Sequence, residues 1–389
     1  MKINLNKLFK FPAVNLILLL IITALFFMVM KSNSRMETDL DKYMPQNHPA
    51  FVYSDNAEAM FNIKDGIIIA IENSDGIYNH GTLSKIKDIT RKLGKMPEIE
   101  KNDITSLYTA DNIVGTEEGM DVKAFYKKVP DSPEKLEKLK QNVRNNEMIF
   151  GRLVSDNETV SVIIANIEDD VFSQEFYHRI LELTESYQGP EKLYVAGSPI
   201  VEGTMAYLGP RDMQKMVPMV ILIITVVLLF VMRSFKNTFF TALVVLFSTI
   251  WTFGLMAALG VPIYAVSTMI PVMLIAIGVA YGIHLYSHLD LYLLENPGAT
   301  KQEAVLDMLK GMWKPVLMTS ITTAVGFSSL LTSEVYPIKY FGLFTAFGVM
   351  SAMLFSLFLI PSGILVFGLP KRKQPKLIQD TSQSRLAHR

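Results

Sequence analysis

Apolar positions gather into six long runs: Ala13 to Met30, then about 216–232, 238–258, 264–288, 314–332 and 339–368. Each is close to the roughly 20 residues that an α-helix needs to cross a bilayer, so the pattern predicts six transmembrane helices. Between the first and second runs, from Lys31 to Asp212, the pattern changes. There GIIIAIE (66–72), ITSLY (104–108), TVSVIIANI (159–167) and KLYVAG (192–197) read as strands. Stretches near 80–95, 132–148 and 173–187 read as helices, the middle one opened by Asp131, Ser132 and Pro133 ahead of Glu134. Asp156-Asn157 predicts a hairpin turn between GRLV and TVSVIIANI. Strands alternating with helices predict an α+β or split βαβ layer. The expected fold is a membrane α-helical bundle of six transmembrane helices, with an extracytoplasmic α+β domain between helices 1 and 2. Residues 1–30 form the N-terminus and first helix, 31–212 the α+β domain, 213–369 helices 2–6, and 370–389 a basic tail.

Charge sharpens this division. The chain has a formal net charge of zero, but residues 31–212 hold 21 Lys and Arg against 31 Asp and Glu, a net of −10. The remainder holds 16 basic and 6 acidic residues, a net of +10. An acidic domain is thus joined to a basic membrane part. Lys2, Lys7 and Lys10 give the first run the look of a signal peptide. The run exceeds a signal h-region and no small-x-small site follows it, so an uncleaved first helix is expected. Arg233, Lys236, Lys301, Lys310, Lys314 and the tail KRKQPK fall on the same side as that N-terminus, which predicts cytoplasmic ends and an outer acidic domain in a cell membrane. The segment Ala299 to Met312 is amphipathic. It reads either as a helix lying on the inner membrane face or as a connecting helix whose apolar side packs on the bundle. Asn157-Glu158-Thr159 fits a glycosylation sequon, a short and weak pattern. There is no cysteine, hence no disulfide or thiolate chemistry.

Several stretches together resemble one half of a resistance–nodulation–division (RND) permease, nearest its MMPL-like branch with a sterol-sensing-type core. AGSPIVEGTM (196–205) with PRDMQKMVPMVILII (210–224) resembles that family's entry into the second helix, and VMRSFKN (231–237) its basic turn between helices two and three. IGVAYGIHLYSHL (277–289), TSITTAVGFSSLL (319–331) and FGLFTAFGVMSAMLFSLFLIPSGILVF (341–367) resemble its fourth, fifth and sixth helices. The match is strong over the membrane part and positional over the acidic domain. Two features depart from the family. Its members usually carry two such halves in one chain, which implies here a homodimer, a second half-size chain as partner, or a fragment of a longer protein. The fourth-helix aspartate that carries protons in proton-driven members is replaced by Ala280, just before Tyr281.

Ionisable residues inside a membrane are functional candidates, and His284 is the deep one. Ala280, His284 and His288 follow at i, i+4 and i+8 on one helical face. An imidazole titrates near physiological pH and is able to relay protons; the alternative is a histidine that only hydrogen-bonds. His288 and Asp290 lie nearer the interface. Thr319, Ser320, Thr322 and Thr323 offer hydroxyls that either meet helix four near His284 or bond their own i−4 carbonyls. The candidate proton relay is therefore His284 with Thr319, Thr322 and Thr323. Gly278 and Gly282 form a small-xxx-small pair suited to close helix packing. Pro271 kinks or breaks its helix.

The resemblance implies a transporter of a hydrophobic or amphiphilic solute or lipid, coupled to an ion gradient. The alternatives are a non-transporting scaffold or lipid sensor, which Ala280 favours, and a protein-translocation accessory. No nucleophile elbow, phosphate loop or metal-spaced cluster is present, and His284 with His288 lacks the glutamate of a zinc-protease helix. No enzyme activity, cofactor, metal or nucleic-acid partner is expected. His80 and His178 have no partners identifiable from sequence.

Overall fold

The structure, a computed structural model, describes residues 9–45, 47–61, 65–116, 119–167 and 173–369. Lys2, Lys7 and the basic tail lie outside the described residues. The chain divides into two compact units, with boundaries at Met36/Glu37 and Asp212/Met213.

In the unit from Glu37 to Asp212, β1 (Gly66–Glu72), β2 (Ile104–Thr105), β5 (Val160–Asn166) and β6 (Lys192–Ala196) form an antiparallel sheet in the order β2-β5-β1-β6. The crossover helices are α3 (His80–Leu93) and α5 (Gln174–Ser186), so β1-α3-β2 and β5-α5-β6 interleave as a split βαβ layer. Alternation creates the core: Ile67, Ile69 and Ile71 of β1 are buried while Ile68 faces out. Leu83, Ile86 and Ile89 of α3 and Phe176 and Ile180 of α5 cover that inner face. The helix starts follow their caps. Asn79, Ser132 and Ser173 accept from the backbone N–H groups of Thr82, Lys135 and Phe176, opening α3, α4 (Pro133–Arg144) and α5.

The Asp156-Asn157 turn is present, with Ser155 N donating to Val160 O at 3.0 Å. Its first arm is not a strand; Val154 makes isolated bridges to Phe150 and Ser161. ITSLY supplies just two strand residues. Two elements were not anticipated: α2 (Pro49–Phe61), which buries no residue, and the hairpin of β3 (Asp111–Thr116) with β4 (Gly119–Ala124).

Among the described residues six helices are long and apolar enough to cross a membrane: α1 (Pro12–Asn33), α6 (Ser198–Met232), α7 (Phe235–Ala258), α8 (Ile270–Glu295 with its preceding turn), α9 (Lys301–Ser328 with its following turn) and α10 (Tyr336–Phe367). The sheet-containing unit lies between the first and second of them, so the chain is a membrane helical bundle with an α+β insertion. Buried side chains concentrate on α7, α8 and α10. Helix α1 joins them where Trp251 Nε1 donates to Thr23 Oγ1 at 2.9 Å and the Trp251 and Phe26 rings stack.

The run 264–288 is not one helix. A 3₁₀ turn, Ala265–Met269, precedes α8, and Pro271 stands in the first turn of α8. A proline there breaks no internal hydrogen bond, so it marks a start rather than a kink. The amphipathic segment 299–312 is the beginning of α9, opened by a Thr300–Glu303 capping box. Ala304, Val305, Met308 and Leu309 are buried with Leu285 and Leu289 of α8, so the segment packs on the bundle. One end of the bundle is basic. Lys236 Nζ donates to the Phe367 carbonyl at 2.8 Å, and Lys10 and Lys301 line one cleft. At the opposite end of α1 and α7, Arg35 Nη2 donates to Gly260 O at 3.3 Å.

Candidate functional site

The packing of α8 begins with its glycines. A Cβ on Gly278 would stand 2.9 Å from Val245 Cγ2, and one on Gly282 would run into the Thr241 side chain. The two glycines therefore seat α8 on α7, as a small-xxx-small pair does. Tyr281, between them, is 2% exposed and points to α9, where its hydroxyl lies 2.6 Å from Ser320 Oγ. Ser320 Oγ is also 2.7 Å from the Val316 carbonyl. Ser320 has one proton, and a carbonyl only accepts. Ser320 thus donates to Val316, and the Tyr281 phenol donates to Ser320. This buried chain ties α8 to α9. It was not singled out from sequence, although Tyr281 and Ser320 both stood among the motif residues. Periodicity places each on a face but does not say which faces meet.

The other candidates lie elsewhere. His284 is exposed on the isolated chain and makes no hydrogen bond among the described residues; Ala280 is half-buried. Eleven residues separate His284 from the helix end at Glu295, about 16 Å along the axis. Thr319 and Thr322 are exposed and Thr323 is half-buried. Each bonds backbone of its own helix: Thr319 Oγ1 to Pro315 O at 2.9 Å, Thr322 Oγ1 to Met318 O at 3.0 Å, Thr323 Oγ1 to Thr319 O at 2.8 Å. The structure therefore does not bring His284 and these three threonines together within one chain.

His288 sits at the join between α8 and the amphipathic start of α9. Its Nδ1 is buried without a hydrogen bond, 3.8 Å from Asp307 Oδ2, and its ring occupies the space a side chain at Gly311 would need. In the other unit, His80 Nδ1 lies 3.3 Å from Pro130 O, and His178 packs edge-on between Tyr177 and Tyr207. Among the described residues no three His, Asp or Glu stand close enough to hold a metal ion.

Residues 79–384 match the model of the MMPL family. A protein of Methanocaldococcus jannaschii, named only as a membrane protein, is 24% identical over 371 residues, covering 91% of this chain and 90% of that protein.

Proposed function

The chain belongs to the MMPL family, and from that premise we propose that it is a half-unit of a membrane transporter for a hydrophobic or amphiphilic solute or lipid. The observation that carries this reading is His284. Among the described residues an ionisable side chain stands unpartnered on an uncovered face of an apolar helix, about three turns from the helix end. Lipid tails offer it no hydrogen bond, so such a residue faces a partner, a water-filled path or a substrate. A second half covering this face supplies all three, and the matched relative of nearly equal length supports a unit of this size. The two halves are two copies of this chain, or this chain and a second half-size one. In this reading both termini are cytoplasmic and the acidic unit lies outside. The clustering of Lys10, Lys236 and Lys301 at one end supports that orientation.

Ala280 leaves helix four without the family carboxylate, and the imidazole of His284 takes the proton-carrying role. The test is flux in proteoliposomes under an imposed pH gradient. His284→Ala and His284→Asn abolish gradient-driven flux, because Asn keeps hydrogen bonding but does not titrate. His288→Ala, at the α8–α9 join, leaves flux in place. Normal flux in His284→Asn would make the residue structural. Absence of any flux in the native chain would favour the scaffold or lipid-sensor reading that Ala280 suggests.

A further inference from the structure

The unit from Glu37 to Asp212 holds 31 acidic and 19 basic residues, twelve more acidic than basic. One of its clefts nonetheless holds only the opposite charge. Arg91 from the last turn of α3, Lys95 just past the Gly94 cap and Lys101 from the following 3₁₀ turn line a cleft of about 310 Å³. Ile104 and Tyr108 supply its apolar wall, Thr109 a hydroxyl at its rim, and no carboxylate lines it. None of the three cations forms an ion pair among the described residues. Elsewhere in the same unit the basic side chains of Lys85, Lys140, Arg144 and Arg179 are all paired to acids.

A helix C-terminus attracts one or two cations by itself, which accounts for Arg91. It does not account for Lys101, which comes from a different segment. Nor does it account for an apolar wall beneath three converging positive groups. Lys87, one turn before Arg91, adds to the same side, with its ammonium 5.5 Å from the centre of the Tyr108 ring. Like charges one turn apart on a helix repel. An arrangement that is unfavourable alone, open, and apolar beneath suits a ligand with an acidic head and an apolar chain. The volume falls at the small end of ligand pockets.

We propose that this cleft binds an anionic amphiphile, its acidic head held by Arg91, Lys95 and Lys101 and its chain laid on Ile104 and Tyr108. The proposal deepens the transport reading, on which it rests for its meaning, by assigning the solute a negative charge.

Hexyl phosphate is the probe, added to the full chain in nanodiscs of zwitterionic lipid. The readout is the rate at which each lysine is acylated, followed by peptide mass spectrometry. Saturable protection of Lys95 and Lys101 is expected, at least fivefold, with exposed Lys192 on β6 unaffected. The protecting concentration should rise at least tenfold in Arg91→Gln, and should rise with salt as screening shortens. In Tyr108→Ala, hexyl phosphate should fall to the level of inorganic phosphate while the protein remains folded by amide exchange. Protection by hexanol at the same concentration would overturn the proposal, since charge would then be irrelevant. Equal protection by inorganic phosphate in the native chain would overturn it too, because the apolar wall would then contribute nothing. Binding at these lysines in a chain that moves no solute would leave the site standing and remove the transport reading instead.

Discussion

Glu191 shows how single side chains stabilise the acidic unit. Its carboxylate is 3% exposed, accepts from Thr82 Oγ1 at 2.9 Å and pairs with Lys85 Nζ at 2.5 Å, tying the start of β6 to α3. Burial pushes its pKa up, but the bonds from Lys85 and Thr82, a backbone bond and the Lys85 charge outweigh burial. The net value lies below the usual carboxylate range. Glu158 repeats the pattern: burial is again the largest single effect, and Arg144 and Lys140 overcome it. A depressed folded-state pKa stabilises above the unfolded value of about 4.3, and the stabilisation is lost as pH falls through the folded value. Glu191→Gln should therefore cost about 1–3 kcal/mol at pH 7. Amide exchange over residues 80–93 and 192–196 of the full chain measures it. The difference between variant and native chain should shrink as pH drops below about 4. A difference unchanged from pH 7 to pH 3 would mean the ion pair contributes nothing.

At the scale of elements, the membrane helices are held by shape more than by polar bonds. Gly282 and Gly278 let α8 approach α7, whereas a Cβ on Gly326 in α9 would meet nothing within 4 Å. Gly282→Ala should lower the thermal midpoint in detergent by the equivalent of about 1–3 kcal/mol through overpacking against Thr241. Gly326→Ala should be neutral or slightly stabilising, since alanine is the better helix former. Equal effects at both positions would refute close packing as the role of Gly282.

This contrast also shows what the sequence makes legible. The small-xxx-small pattern at 278 and 282, the six apolar runs and the β1 alternation are local periodicities, and the folded chain follows them. The capping signal at Ser132 is local as well. What periodicity cannot carry is which faces meet. Ser320 rather than Thr319 or Thr322 finds Tyr281, because the α8–α9 crossing selects one turn of hydroxyls and leaves the others to their own carbonyls. The amphipathic segment was equally open from sequence, since a bundle-facing helix and a membrane-surface helix share one pattern. The burial of Val305 and Met308 decides it. The β3–β4 hairpin went unread because its apolar side chains Ile113, Met120 and Val122 remain exposed and build no core.

For the whole molecule, the open question is what covers α8. Exposed apolar side chains on α6, such as Leu222 and Phe230, require only lipid. His284 requires more, and in the two-half unit proposed above the face bearing Ala276, Ala280, His284 and Ser287 is the contact to test. If that half is another copy, the contact is two-fold and each residue near the axis meets its own counterpart. The chain has no cysteine, so every disulfide reports an introduced one. Ala280→Cys and Ser287→Cys, each alone, should form dimers on mild oxidation in native membranes. Disulfides need Cα atoms within roughly 7 Å, so the pattern should be sharp along the helix. Phe230→Cys, on α6 and 79% exposed, should remain monomeric because it faces lipid. Dimers through Phe230→Cys alone would place the two-fold contact on α6. Monomers at every position, with flux retained, would show that one chain works alone and that His284 faces water or substrate rather than a second copy.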